Sequence, residues 1–243
     1  MKTETAVPLR PAAGQAPEAA KRVALVHSTR LVIDAVQKAM APHAREIDAF
    51  HVLDEGILRR LAALGQITPE IDRWLAGMVL SAQRAGADLA VVSCSSLSPC
   101  VRAVQEQAAI PVIRIDAPMM AYAVTHARKI GLVMTNPTTE APSKLLFREV
   151  TDRLASGAAL IPRLCPQAFA RLNRGDVQGH DREVADTVEA LLAETDLVLL
   201  AQISIARVKE QLPDPVRKRV FTSLDFIVPE IRRILALPGG GEA

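Results

Sequence analysis

Short apolar runs alternate with amphipathic stretches along most of the chain, and the alternation predicts strands and helices in turn. The strand candidates are 22–26, 49–53, 88–93, 111–115, 129–134, 158–161, 196–201 and 219–222. Most are apolar at successive positions, a pattern that suits a strand covered on both faces, as in a parallel sheet flanked by helices. The clearest helix takes Thr68 as N-cap and Pro69 as its first residue. It carries Ile71, Trp74, Leu75, Met78, Val79 and Ala82 on one face and stops at Gly86. Strands alternating with helices imply βαβ units and an α/β fold.

The pattern occurs twice. "DLAVVSCSSLS" from Asp88 and "DLVLLAQISIA" from Asp196 share Asp-Leu, an apolar run and a serine at the same later position, Ser96 and Ser204. "VALVHST" from Val23 and "IGLVMTN" from Ile130 repeat at an offset that agrees to within one residue. Two matches at nearly one offset predict a duplicated α/β half. The expected organisation is a disordered tail over 1–20, a first lobe over 21–120 completed by 220–236, a second lobe over 121–219, and a flexible tail over 237–243. Matching strand ends would then face each other across a cleft, where open α/β sheets place ligands. Cys94 and Gln202 are such a matching pair.

Composition narrows the function. Of 243 residues, 49% are hydrophobic and only 3% aromatic, and the net charge of +2 is spread without a basic run. Neither base stacking nor a phosphate-binding stripe is supported, so nucleic acid is not an expected partner. Three cysteines make no disulfide framework and point to a reducing, cytoplasmic setting. The first twenty residues interrupt any signal-peptide pattern with prolines and charges, and no run reaches the ~18 apolar residues of a membrane helix. Dinucleotide, nucleotide and zinc motifs are missing from the sequence, so those readings lose their usual support and no metal site is expected.

The ends of three strand candidates carry the remaining signal: "VVSCSSLSPC" around Cys94, "IGLVMTNPTT" with Thr135 and Thr138, and "LLAQISIA" with Gln202. In order and spacing they resemble the aspartate/glutamate racemase superfamily, which includes hydantoin racemases, maleate isomerases and arylmalonate decarboxylases. The resemblance covers roughly 22–230. It implies two similar Rossmann-like lobes related by a pseudo-twofold axis, a small carboxylate or cyclic amide substrate in the cleft, no cofactor, and cysteines acting as acid and base at carbon. It also suggests a homodimer. Cys94 matches the first catalytic position, whereas the second is Gln202. Ser28, Ser95, Ser96, Thr135, Asn136, Thr138, Thr139, Gln202 and Ser204 are the candidate substrate contacts.

That departure has a chemical meaning. Racemising a carbon acid with two bases needs a titrating group on each face, and an amide does not titrate. A helix starting near Ser95–Ser98 would aim its free N–H groups at Cys94, lowering the thiol pKa and offering a seat for a carboxylate. Three readings stay open: a cofactor-independent racemase or isomerase, a one-thiol decarboxylase or lyase, and a non-catalytic carboxylate-binding protein. Cys94 could also be a core thiol, Gln202 an ordinary polar residue, and the serines and threonines helix caps. His27 is a candidate for the missing acid, and Arg30 a candidate contact beside Ser28. His180 with Asp181 reads as an exposed helix start. Cys100, Cys165, His43, His51 and His126 read as structural.

Overall fold

The computed structural model describes residues 20–237; both expected tails lie almost wholly outside the described residues. In chain order the first half contains β1 (Lys21–His27), α1 (Ile33–Met40), β2 (Ile47–Leu53), α2 (Glu55–Leu64), α3 (Pro69–Arg84), β3 (Leu89–Val92), α4 (Val101–Gln105) and β4 (Val112–Arg114). The second half follows with α5 (Ala117–His126), β5 (Lys129–Met134), α6 (Glu140–Leu154), β6 (Ala159–Leu164), α7 (Pro166–Asn173), α8 (Val177–Leu192), β7 (Leu197–Leu200), α9 (Asp214–Arg217), β8 (Val220–Thr222) and α10 (Leu224–Ile234). Each half builds a parallel sheet of the same order, β2-β1-β3-β4 and β6-β5-β7-β8. Every strand candidate from the sequence has its strand, with the same ends at β5 and at least one end shifted by one to three residues elsewhere.

The continuous apolar runs now have a cause. Alternate residues of a strand enter different cores. Ala24, Val26, Ala90 and Val92 pack with α2 and α3 on one face of the first sheet. Val23, Leu25, Leu89 and Val91 pack with α1 and α10 on the other. In the second sheet Val133, Val198 and Leu200 meet α7 and α8, while Ile130, Leu132, Leu197 and Leu199 meet α5 and α6. Gly131 permits the close approach of neighbours on the α8 side: a Cβ there would meet Val198 Cγ2 at 2.8 Å.

The duplication extends to single hydrogen bonds. Asp88, just before β3, accepts from Arg22 N at 2.8 Å; Asp196, just before β7, accepts from Lys129 N at 2.8 Å. Each aspartate ties the start of its own strand to the start of the central one, which accounts for the Asp-Leu repeat.

Two expectations change. The segment expected to return to the first lobe at 220 does so one element later, because β8 is hydrogen-bonded to β7 in the second sheet. Only α10 crosses back, burying Ile227, Val228 and Ile231 in the first lobe's core and pairing Arg232 with Glu46. The Thr68 side chain makes no capping bond, and its Oγ1 is buried without a partner. The start of α3 rests instead on Pro69 and on Glu70 and Asp72 in its first turn.

Candidate active site

In each sheet the chain leaves the central strand toward one side and later returns on the other. The reversal opens a crevice at the carboxyl ends of β1 and β3, and another at those of β5 and β7. Ser28 follows β1 and Cys94 closely follows β3; Asn136 follows β5 and Gln202 follows β7. The two crevices meet in a chamber of about 60 Å³. Ser28, Cys94, Ser95 and Ser96 line it from the first lobe, and Asn136, Thr139, Gln202 and Ser204 from the second. The sequence reading missed Thr29, Val32, Leu58, Ser93 and Ile203, which also line it. Leu58 sits on α2, and nothing local in its sequence distinguishes it from a core residue.

Cys94 has extended backbone angles and precedes a 3₁₀ segment, Ser95–Cys100, that runs into α4. Burial pushes its thiol above the ordinary value, opposed by the Ser28 hydroxyl, the N–H groups of Leu97 and Ser96, and the Ser96 hydroxyl. The expected lowering by a helix start is therefore reversed: the donors are in place, but desolvation outweighs them. Ser28 Oγ is buried and has no hydrogen bond of ordinary geometry, although it lies near enough to the sulfur to favour the thiolate.

Gln202 holds the equivalent position after β7, again extended and again followed by a 3₁₀ segment, Ile203–Gln211. Its Oε1 accepts from Thr135 N at 2.7 Å and Asn136 N at 3.1 Å. Two backbone donors on one atom fix the amide orientation and leave Nε2 as the donor for the chamber. Thr135 is fully buried and does not line the chamber; its Oγ1 also reaches Gln202 Oε1, at 3.3 Å. Ser95 Oγ donates to Ala201 O at 2.8 Å and so binds the two lobes. Thr138 lies outside the chamber, in an adjoining groove, with Ser96 Oγ at 2.8 Å from its Oγ1. Thr138 Oγ1 in turn donates to Asn136 Oδ1 at 2.9 Å. Ser96 and Thr138 thus bond directly to each other.

The histidines differ from expectation. His27 is buried beside the site but does not line it. Ser93 Oγ donates to Val26 O, so it accepts from His27 Nδ1 at 2.7 Å, and His27 Nε2 accepts from His51 Nδ1 at 2.8 Å. Burial first, and the neighbouring His51 second, lower its pKa to about 4. It is neutral at pH 7, holds its proton on the nitrogen facing Ser93, and does not supply the missing acid. His180 is not an exposed helix start: it is fully buried in the first turn of α8, with Nδ1 at 2.6 Å from Asp181 Oδ1, and Asp181 is held by Arg207 and Gln211. Cys100 and Cys165 are buried in separate cores.

Cys94 is the one titratable side chain among the described lining residues, and none of them is charged. An anion would be held by hydroxyls, amide N–H groups and the 3₁₀ start. Among the described residues no three His, Cys, Asp or Glu side chains converge as a metal set, and no helix is long and apolar enough to cross a membrane.

Known structures share this architecture. A glutamate racemase from Bacillus anthracis superposes with a TM-score of 0.69 at 18% identity, covering 91% of this chain and 83% of that one. An allantoin racemase from Klebsiella pneumoniae gives 0.66 at 17% identity, covering 89% and 88%. An aspartate racemase from Picrophilus torridus gives 0.66 at 10%, covering 88% and 93%. At such identities the likeness establishes the fold. No curated protein sequence matches the chain. The family model for Asp/Glu/hydantoin racemases matches residues 24–231, so the chain belongs to that family.

Proposed function

We propose that the protein is a cofactor-independent enzyme that moves a proton at the carbon next to a carboxylate or carbonyl of a small substrate, with Cys94 as acid and base. The observation that carries this reading is the single titratable group in a chamber otherwise lined by hydroxyls, amides and apolar side chains. The Ser28 hydroxyl and the Gln202 amide would donate to negative charge developing on the substrate's oxygens, a large contribution in enolate chemistry, and Ser96 would join them once its bond to Thr138 opens. The solved relatives include racemases of glutamate, aspartate and allantoin, and a small carboxylate or cyclic amide is the substrate class proposed here.

One thiol supports exchange on one face of the carbon. A thiol held protonated by burial is suited to giving a proton to a carbanion. This favours, as a second reading, a lyase or decarboxylase: the carbon–carbon bond of a substituted malonate breaks, carbon dioxide leaves, and the electron pair left on carbon takes the Cys94 proton. Solvent then returns a proton to the thiolate.

Incubation in deuterium oxide with amino acids, hydantoins, maleate and substituted malonates tests both. The expected result is label of one configuration at the carbon next to the carboxylate or carbonyl, abolished by Cys94→Ala. Full activity in Cys94→Ala would overturn the assignment, and efficient two-way racemisation by the unaltered protein would require a second acid.

A further inference from the structure

The duplication reaches the oxygen-binding groups of the two lobes. In the second lobe the side-chain oxygen of Gln202 accepts three donors from the end of β5: Thr135 N at 2.7 Å, Asn136 N at 3.1 Å and Thr135 Oγ1 at 3.3 Å. Fixed N–H and O–H groups converging on one oxygen are the arrangement that stabilises a carboxylate or an oxyanion. Here the protein fills it with a neutral amide of its own.

The repeat that pairs Val23 with Ile130 also pairs Ser28 with Thr135 and Thr29 with Asn136. The same three donors therefore stand at the end of β1: Ser28 N, Thr29 N and Ser28 Oγ. Both residues line the chamber. Their N–H groups bond to no protein acceptor among the described residues. Ser28 Oγ, on a residue only 2% exposed, has no hydrogen bond of ordinary geometry. The position equivalent to Gln202 is Cys94, whose side chain is shorter and whose sulfur is a weak acceptor. Buried donors without an acceptor are costly, and a ligand oxygen would relieve that cost. The second lobe shows how such an oxygen is held; the first lobe presents the same donors to the chamber.

We propose that Gln202 determines specificity: its amide oxygen occupies the second lobe's carboxylate-oxygen site, so that substrate is anchored through one carboxylate on Ser28 and Thr29 in the first lobe. This rests on the reading of the chamber as the substrate site. A second ionised carboxylate finds the donors of Thr135 and Asn136 already taken and meets only the Gln202 Nε2 amide. It adds nothing to recognition. An amide at 202, where the matching position of the first lobe has a thiol, thus changes what binds as well as what titrates.

Butyrate and succinate have carbon chains of equal length and differ by the second carboxylate. Their equilibrium binding to the unaltered protein, Gln202→Ala and Gln202→Glu tests the assignment. In the unaltered protein succinate is expected to bind no tighter than butyrate. Gln202→Ala frees the donors and should bind succinate roughly tenfold tighter than butyrate or more, whereas Gln202→Glu, which keeps an oxygen there, should show no such gain. Backbone amide resonances report the location. In the unaltered protein butyrate should move those of Ser28 and Thr29 and leave Thr135 and Asn136 in place, a test that stands even if Gln202→Ala fails to fold. In Gln202→Ala succinate should slow amide exchange at Thr135 and Asn136. The proposal is overturned if the unaltered protein already prefers succinate, or if Gln202→Ala improves butyrate binding as much as succinate binding. It is also overturned if butyrate leaves Ser28 and Thr29 unmoved. A succinate preference created by Gln202→Ala, without any deuterium exchange in the preceding experiment, would keep the Gln202 assignment and remove the proton-transfer reading instead.

Discussion

Two forces act on the Cys94 sulfur in opposite directions: burial disfavours the thiolate, while neighbouring hydroxyls and N–H groups favour it, and burial is the larger. Alkylation by iodoacetamide at Cys94 is therefore expected to be slow at neutral pH and to rise only above the range of an ordinary thiol, as peptide mass spectrometry of the labelled site would report. Rapid labelling below neutrality would contradict this balance. Gln202 has an equally specific role. Replacing it by cysteine adds a titratable group to the chamber's second wall and gives the opposite face of the substrate a proton carrier. The same change removes the acceptor from Thr135 N and Asn136 N, at a cost of about 1–3 kcal/mol. Gln202→Cys should gain label on both faces while its denaturation midpoint falls, whereas Gln202→Glu, which keeps an acceptor, should lose less stability.

At the scale of elements, the ends of β1, β2 and β3 are joined by the chain from His51 through His27 to Ser93. The folded value for His27, about 4, lies below the ordinary 6.5. Between those values the unfolded chain binds a proton that the folded protein excludes, so stability falls as pH drops through this window and is constant above it. The loss is of the order of 3 kcal/mol at most, and His51, also lowered by burial, acts in the same sense. Urea midpoints measured from about pH 7.5 down to about pH 4 should show the decline, and His27→Gln should flatten it. Much of this level was legible beforehand. The positions of the strands followed from their apolar runs, and the equivalence of Asp88 with Asp196 from a repeat in the letters. The His27–His51 contact was not legible, because it depends on the register of two strands, Leu25 beside His51 and His27 beside Leu53.

The whole molecule is two sheets locked by exchanged pieces: α5 packs in the second lobe's core, α10 in the first's, and Ser95 reaches Ala201 across the cleft. The first lobe thus depends on residues near the far end of the chain. Ile231→Ala, at a fully buried position, is expected to cost about 2–5 kcal/mol. Its signature would be faster hydrogen exchange in β1 and β2 measured by mass spectrometry, although those strands are distant in sequence. Exchange that increases only within α10 would show that this helix is not part of the first lobe's cooperative unit.

The sequence by itself determined the α/β class, the duplication and the place of Cys94 at a strand end, because these depend on local periodicity and on repeated letters. It also paired Gln202 with Cys94 as matching positions of the two halves. Only the tertiary structure decided the sign of the Cys94 shift, since desolvation is a property of everything packed around the sulfur. The same holds for Ser96 and Thr138, two candidate substrate contacts that bond to each other. It holds for the neutral His27, the burial of His180 and the membership of β8 in the second sheet. Each depends on which surfaces meet when two lobes close, and residues far apart in the chain acquire that relation only through packing.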